Sequence, residues 1–170
     1  MNLLETILEE HSKKNCDKII SWVGTDQKRF DELFLLFLND EYRVTQRASW
    51  PLSFCTIAHP FLIEKKLDKL LRNLKKPGLH NAVKRNTVRL LQHVNIPEQN
   101  EGVVMEICFE YLESPNEAVA VKAFALNTLS KLAKKYPEIS PEVKLLIEDQ
   151  IAHQSAAFKV SARRFLKEFS

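Results

Sequence analysis

The side chains best suited to chemistry in this sequence are basic, and one large aromatic accompanies them: Arg85, Arg89, Arg164, Lys167 and Trp50. A guanidinium group presents a planar set of N–H donors, so it binds carboxylates and phosphates through paired hydrogen bonds. An exposed tryptophan adds a surface for stacking or for a cation–π contact. This combination predicts an anionic partner, either an acidic protein segment or a nucleic acid.

No motif in the sequence predicts a catalytic or metal centre. There is no Gly-rich phosphate loop, no G-x-S-x-G motif and no H-E-x-x-H motif. None of the five histidines belongs to a set of His, Cys and carboxylate ligands arranged for zinc. Neighbouring carboxylates such as Glu9 and Glu10 diverge around a helix, which is poor geometry for acid–base catalysis. We therefore expect a non-enzymatic protein without a metal or cofactor.

Composition predicts one soluble, all-α domain over residues 1–170. The chain has only three glycines, too few for the tight turns of a β-protein. Its first residues carry acids where a signal peptide is basic, and no stretch approaches the roughly 18 apolar residues of a membrane-spanning helix. Cys16, Cys55 and Cys108 are far apart and in apolar surroundings, which indicates reduced core thiols in a cytoplasmic protein. The net charge of +3 is too small to specify a partner.

Apolar residues at helical spacing divide the chain into an N-terminal capping pair of helices and about four further pairs. The cap covers residues 1–24, with Gly24 as its stop and Thr25 as the next N-cap. The pairs cover 26–58, 60–95, 97–136 and 138–170. Within them we predict helices over roughly 41–58 and 60–75, and we expect Pro51 inside the first to remove one backbone hydrogen bond and bend it. Asn95, Ser114 and Ser140 are predicted N-caps of the helices that follow them.

The second helices of these pairs share one core pattern, which indicates an internal repeat. The leading apolar residues Val44, Val83, Val121 and Phe158 recur at intervals of 39, 38 and 37 residues. The apolar positions that follow them align in the same register, and Pro60, Pro97 and Pro137 keep nearly the same spacing. A period near 40 residues with two helices per unit is typical of an α-solenoid.

The sequence Val121-Lys122-Ala123-Phe124-Ala125, followed by Leu129, resembles the second-helix signature of HEAT repeats. Val83-Lys84 and Phe158-Lys159 echo that signature. The resemblance covers roughly residues 26–170 and implies a right-handed α-α superhelix that acts as a binding or scaffold module. The turn aspartate of HEAT repeats is replaced here, because the matching residues are Asn39, Gly78, Asn116 and His153.

In a HEAT-like array, the side of each second helix opposite its core stripe is expected to line the concave surface. The side chains predicted there form a basic strip that ends in a tryptophan, and we expect them to bind an acidic protein or peptide. The same strip could bind nucleic acid, or it could serve only as a solvated surface. The predicted site residues are Gln46, Trp50, Arg85, Arg89, Asn127, Arg164 and Lys167.

A second basic ladder, Lys84, Lys122 and Lys159, follows each leading core residue. HEAT repeats place a fold-supporting basic residue at this position, so a structural role is favoured. The missing turn acids leave a role in ligand binding as the alternative.

One enzymatic class shares this architecture, because some HEAT-like proteins are DNA glycosylases with Trp, Asp and Arg on the concave face. No local motif assigns Trp50, Asp40 and Arg89 to those roles. Of the two tryptophans, Trp22 lies between Ile20 and Val23 and is predicted to be a core residue. For Trp50 both core and surface positions stay open.

Overall fold

Helices form all the regular secondary structure of the described residues, which are 1–39 and 41–170 of the computed structural model. The predicted all-α fold class is therefore confirmed. Short 3₁₀ turns cover Pro60–Leu62, Glu64–Lys66, Pro137–Ile139 and Ile151–His153. The α-helices are α1 (Leu3–Glu9), α2 (Lys13–Val23), α3 (Gln27–Phe37), α4 (Tyr42–Ala58), α5 (Leu67–Leu74), α6 (Asn81–Leu91), α7 (Glu98–Glu113), α8 (Val119–Ala133), α9 (Ser140–Gln150) and α10 (Ala156–Glu168).

The chain divides into two compact units, Met1–Asn95 and Ile96–Ser170. The division falls at the predicted boundary between the helical pairs 60–95 and 97–136. The first unit contains α1 to α6 and the second contains α7 to α10.

In the first unit, side-chain caps fix where several helices begin. Asn2 caps α1 and Ser12 caps α2, each accepting a hydrogen bond from a backbone N–H three residues later. Gly24 ends α2 with φ +50°, as predicted. The cap of α3 is Asp26, whose carboxylate accepts from two backbone amides, so the prediction of Thr25 was one residue off.

The helix predicted over 60–75 is interrupted. Two 3₁₀ turns precede α5, which begins only at Leu67. Contacts with α3 hold these turns, because Gln27 Nε2 donates to the Leu62 carbonyl at 3.0 Å and Lys66 Nζ lies 3.0 Å from the Asp31 carboxylate. Helix α4, by contrast, continues through Pro51 as predicted.

The second unit starts its helices without the predicted serine and asparagine caps. Ser114 ends α7, because its N–H bonds to the Glu110 carbonyl. Helix α8 begins five residues later, at Val119, with no side-chain cap. Pro97 rather than Asn95 precedes α7, and Ser140 is the first helical residue of α9 rather than its cap. Helix α10 does have a side-chain cap, because Ser155 Oγ accepts a hydrogen bond from the Phe158 N–H.

The predicted core register holds in all four second helices. Val44, Val83, Val121 and Phe158 are each at most 1% exposed. The aligned positions in α4, α6 and α8 are buried as well, while Leu166 and Phe169 near the end of α10 are only half-buried. Trp22 is also half-buried, with the Arg29 guanidinium 5.2 Å from its ring centroid, so its predicted core position was wrong.

Cys16, Cys55 and Cys108 are free and buried, in agreement with the prediction of reduced core thiols. Burial raises their pKa values to about 11, about 12 and about 12. In the part of the chain that the structure describes, no helix is both long and apolar enough to cross a membrane.

A buried carboxylate links the start of α7 to the segment after α8. Glu101, with its side chain 9% exposed, accepts hydrogen bonds from the Tyr136 hydroxyl and from Lys135 Nζ, the latter at 2.9 Å. The bond from Tyr136, followed by the bond from Lys135, lowers the pKa of Glu101 below its ordinary 4.5. A lowered pKa in the folded state stabilises the fold above the unfolded pKa, and this contribution is lost as the pH falls through the folded pKa.

We therefore expect Glu101→Gln to be less stable than the parent at neutral pH and to approach it as the pH falls below 4.5. Urea unfolding between about pH 7 and about pH 3 measures this convergence. Glu98→Gln, an exposed change on the same helical turn, is the control. Its free energy of unfolding should change with pH in the same way as the parent's. If the free energy of unfolding of Glu101→Gln differs from the parent's by the same amount at every pH, the charge of this carboxylate does not contribute to stability.

Candidate interaction site

Helices α4 and α6 pack against each other and carry four of the predicted site residues. Gln46 and Trp50 lie one turn apart on α4, and Arg85 and Arg89 lie one turn apart on α6. Arg85 is exposed, whereas the other three are half-buried. We refer to these four side chains as the α4–α6 face.

Arg89 is held in place by both helices. Its Nη2 donates to Ser53 Oγ at 2.7 Å and to Asn86 Oδ1 at 3.0 Å, and its guanidinium carbon lies 4.6 Å from the centroid of the Phe54 ring. Asn86 is fixed in turn, because its Nδ2 donates to Ser49 Oγ at 2.9 Å. Arg89 is therefore a preorganised cation rather than a freely solvated charge.

The Arg89 guanidinium is only partly satisfied. Its Nε is buried and has no hydrogen-bond partner among the described residues. Burial lowers the pKa of Arg89, and the nearby charge of Arg85 lowers it further. Both effects disfavour the charged form of Arg89 in the folded chain. A carboxylate that contacts the accessible part of this half-buried guanidinium would oppose both of these shifts.

Arg85 is the exposed member of the α4–α6 face, and Trp50 is half-buried. Among the described residues, no hydrogen bond or ion pair involves the Arg85 side chain. Trp50 packs one side of its indole against His11, with the ring centroids 5.4 Å apart. Arg47, also on α4, supports the fold instead. Its Nη1 donates a hydrogen bond to the Leu8 carbonyl near the end of α1, at 2.8 Å.

The remaining predicted site residues belong to the second unit. Asn127 is half-buried on α8, and Arg164 and Lys167 are exposed on α10. Helices α8 and α10 pack against each other. The second unit therefore carries two exposed cations of the predicted basic strip, Arg164 and Lys167.

A family model of the HEAT repeat domain matches residues 3–169, which is nearly the whole chain. The chain belongs to the HEAT repeat family. The match also includes the N-terminal helices, which the sequence pattern had set apart as a cap. No curated protein and no solved structure matches the chain. HEAT repeats generally act as scaffolds for protein interaction, and this coarse function is what the family supports.

The HEAT lysine ladder has a structural member at its centre. Lys122 is 4% exposed, and its Nζ donates to Gln150 Oε1 at 2.8 Å. A glutamine thus accepts from the lysine, in a HEAT repeat whose turn lacks the usual aspartate. Lys122 is therefore not available to a ligand, and the alternative of a binding role is wrong for this residue. Lys84 and Lys159 are half-buried.

Sequence reasoning missed the residues that position Arg89. Ser53 lies nine residues after Val44, the same offset that placed Lys167 after Phe158 on the outward side of a HEAT second helix. That offset was a usable signal for Ser53. Phe54 gave no such signal. It lies ten residues after Val44, a position that helical periodicity places neither in the core stripe nor on the opposite side of the helix.

The residues that the structure describes do not support a metal centre in this HEAT domain. Those residues contain no cluster of three or more His, Cys, Asp or Glu side chains able to hold a metal ion. Asp40, one of the three residues considered for a glycosylase role, lies outside the described residues. That role therefore has no support beyond the shared architecture.

Proposed function

We propose that this HEAT repeat protein is a non-enzymatic interaction module whose α4–α6 face binds an acidic segment of a partner protein. The observation that carries the proposal is the state of Arg89, which is fixed by Ser53 and Asn86 while its buried Nε has no hydrogen-bond partner among the described residues. A preorganised guanidinium loses little side-chain entropy when it binds a carboxylate.

The neighbours of Arg89 favour a peptide as the ligand. Arg85, one turn away and exposed, can take a second carboxylate and raise the association rate through its charge. Trp50 and Phe54 offer partly exposed aromatic surface beside the two cations, and such surface is enriched at the centres of protein interfaces. Two arginines beside aromatic side chains suit an acidic segment that also carries an apolar residue.

Fluorescence anisotropy of the full chain tests the proposal, with octaglutamate and an alternating Glu-Phe octapeptide as labelled probes. We expect both peptides to bind, the Glu-Phe peptide more tightly. Arg85→Glu should weaken binding about five- to tenfold, because it replaces an attraction by a like-charge repulsion. Arg85 is chosen rather than Arg89, since a change at Arg89 would also break its bonds to Ser53 and Asn86.

Lys28→Glu is the matched control, because it makes the same charge change at an exposed residue of α3 outside the face. Equal binding by the parent and Arg85→Glu would overturn the proposal. Single- and double-stranded DNA at about 50 and about 200 mM salt form the comparison arm. Binding of DNA in preference to both peptides, with a steep loss at the higher salt, would assign the face to nucleic acid instead.

A further inference from the structure

Helix α7 presents an acidic side to solvent. Residues 98–113 contain no lysine, arginine or histidine, so no charge on the helix balances its acids. At about 100° per residue, the exposed glutamates fall on one half of the helix surface and the buried apolar residues on the other. Two half-buried apolar residues lie on the same half as the glutamates. The α7 acidic side, as we call it, consists of Glu98, Glu106, Glu110 and Glu113 together with Met105 and Phe109.

The position of Glu110 and Glu113 is not explained by the stability of α7. Both lie in its last turn, which carries no basic residue. The C-terminal end of a helix is the negative end of its dipole, so acids destabilise it and bases stabilise it. Among the described residues, no hydrogen bond or ion pair involves either carboxylate. An outside cation can therefore bind these two charges without breaking a contact of the fold.

A glycine lies among the residues of the α7 acidic side. Gly102 is exposed, and a Cβ atom added to it would meet nothing within 4 Å. Packing within the chain therefore does not require a glycine here, although glycine inside a helix is less stable than alanine. The missing side chain leaves a flat area between the glutamates. A side chain of another molecule can approach the α7 backbone closely at this point.

The α7 acidic side matches the α4–α6 face in charge and in spacing. Arg85 and Arg89 lie one helical turn apart on α6, about 6 Å along its axis. Glu110 and Glu113 likewise lie within one turn of each other on α7. Two carboxylates can therefore meet two guanidinium groups at the same time. Phe109 adds apolar surface beside these carboxylates, in keeping with the aromatic surface beside the two arginines.

We infer that two copies of this HEAT protein associate, with the α4–α6 face of one copy bound to the α7 acidic side of the other. The inference rests on the proposed function, because it uses the same face and names the acidic segment that the face takes. The two surfaces differ, so the contact is heterologous, and a pair of copies retains one unused surface of each kind. A single helix on a two-helix face makes a small interface, which is typical of weak and transient association.

Sedimentation velocity of the full chain tests the inference, over protein concentrations from about 5 to about 500 μM. We expect the weight-average sedimentation coefficient to rise with concentration, with a dissociation constant of roughly 10–100 μM, as for other small interfaces. The rise should be smaller at about 300 mM salt than at about 50 mM, because salt screens the charges of both surfaces. Excess octaglutamate should reverse it, because the peptide occupies the α4–α6 face.

Charge reversals on each surface make the result specific. Arg85→Glu should weaken self-association about five- to tenfold, and Glu110→Arg combined with Glu113→Arg should weaken it about tenfold or more. The α7 double variant should unfold at a midpoint no lower than the parent's, because bases suit the end of a helix. Glu148→Arg combined with Asp149→Arg is the matched control, since it reverses two exposed acids in the last turn of α9. The control should associate like the parent.

Mixing the two kinds of variant tests whether the contact is heterologous. Arg85→Glu keeps its α7 acidic side, and the α7 double variant keeps its α4–α6 face. An equimolar mixture should therefore associate at a total concentration where neither variant associates alone. A mixture whose weight-average sedimentation coefficient is only the mean of the two variants overturns the inference.

The inference is also overturned if the parent stays monomeric at the highest concentration and the lower salt, or if either charge reversal leaves association unchanged. These results are distinguishable from failure of the proposed function. A parent chain that binds the labelled peptides but stays monomeric overturns only the choice of a second copy as the partner. Self-association that the α7 double variant weakens and Arg85→Glu does not, in a chain that binds neither peptide, overturns both.

Discussion

Replacing Leu129 with alanine is expected to lower the free energy of unfolding by about 2–5 kcal/mol, the range measured for buried leucines in other proteins. Leu129 is 0% exposed in the middle of α8, the helix that packs against α7 and α10. Truncation removes three buried side-chain carbons and leaves one methyl group. The helices around it cannot close the resulting cavity without leaving their own packing positions.

Urea unfolding followed by far-UV circular dichroism measures this loss, as a shift of the midpoint at unchanged slope. The matched control is Leu145→Ala on α9 in the same unit, since Leu145 is 66% exposed and its truncation removes little buried contact. A change below about 1 kcal/mol at Leu129 would contradict the shared core register of the HEAT second helices. A loss at Leu145 as large as at Leu129 would contradict it equally.

The core register could be predicted because it depends on a global constraint. Val44, Val83 and Val121 recur with the length of a two-helix HEAT unit, and each must face the same layer of neighbours. Helix starts were less predictable, because the residues that favour an N-cap are also common in turns and at the ends of the preceding helices. Ser114 shows this, since its amide closes α7 and its side chain does not begin α8.

The candidate site was predictable in its residue types but not in their state. Helical periodicity placed Arg85 and Arg89 on the same side of α6, and both lie there. It could not show that Arg89 is half-buried, because its partner Ser53 is 36 residues earlier in the chain. That separation is close to the repeat length. Polar residues one repeat apart on successive second helices are therefore candidates for hydrogen bonds between those helices.

A second large loss of stability is expected for Gln150→Leu, because it strands a buried ammonium group. Gln150 Oε1 accepts from Lys122 Nζ at 2.8 Å and from Gln154 Nε2 at 2.9 Å. Its Nε2 donates to the Leu112 and Leu146 carbonyls at 3.0 and 2.9 Å. Burial lowers the pKa of Lys122, which shows that the folded chain already disfavours this charge. We expect a loss of about 2–4 kcal/mol, since a hydrogen bond to a charged group and three neutral ones disappear together.

The double variant Lys122→Met with Gln150→Leu separates the stranded charge from the loss of packing. Methionine keeps an unbranched apolar stem at position 122 and removes the ammonium, so the double variant should recover a substantial part of the stability that Gln150→Leu loses. Gln154→Leu is the control, and its single neutral bond predicts a loss of only about 0.5–1.5 kcal/mol. If the double variant is as unstable as Gln150→Leu alone, the lysine charge is not what Gln150 stabilises. In that case the two backbone carbonyls, rather than the HEAT lysine ladder, explain why a glutamine lies at the end of α9.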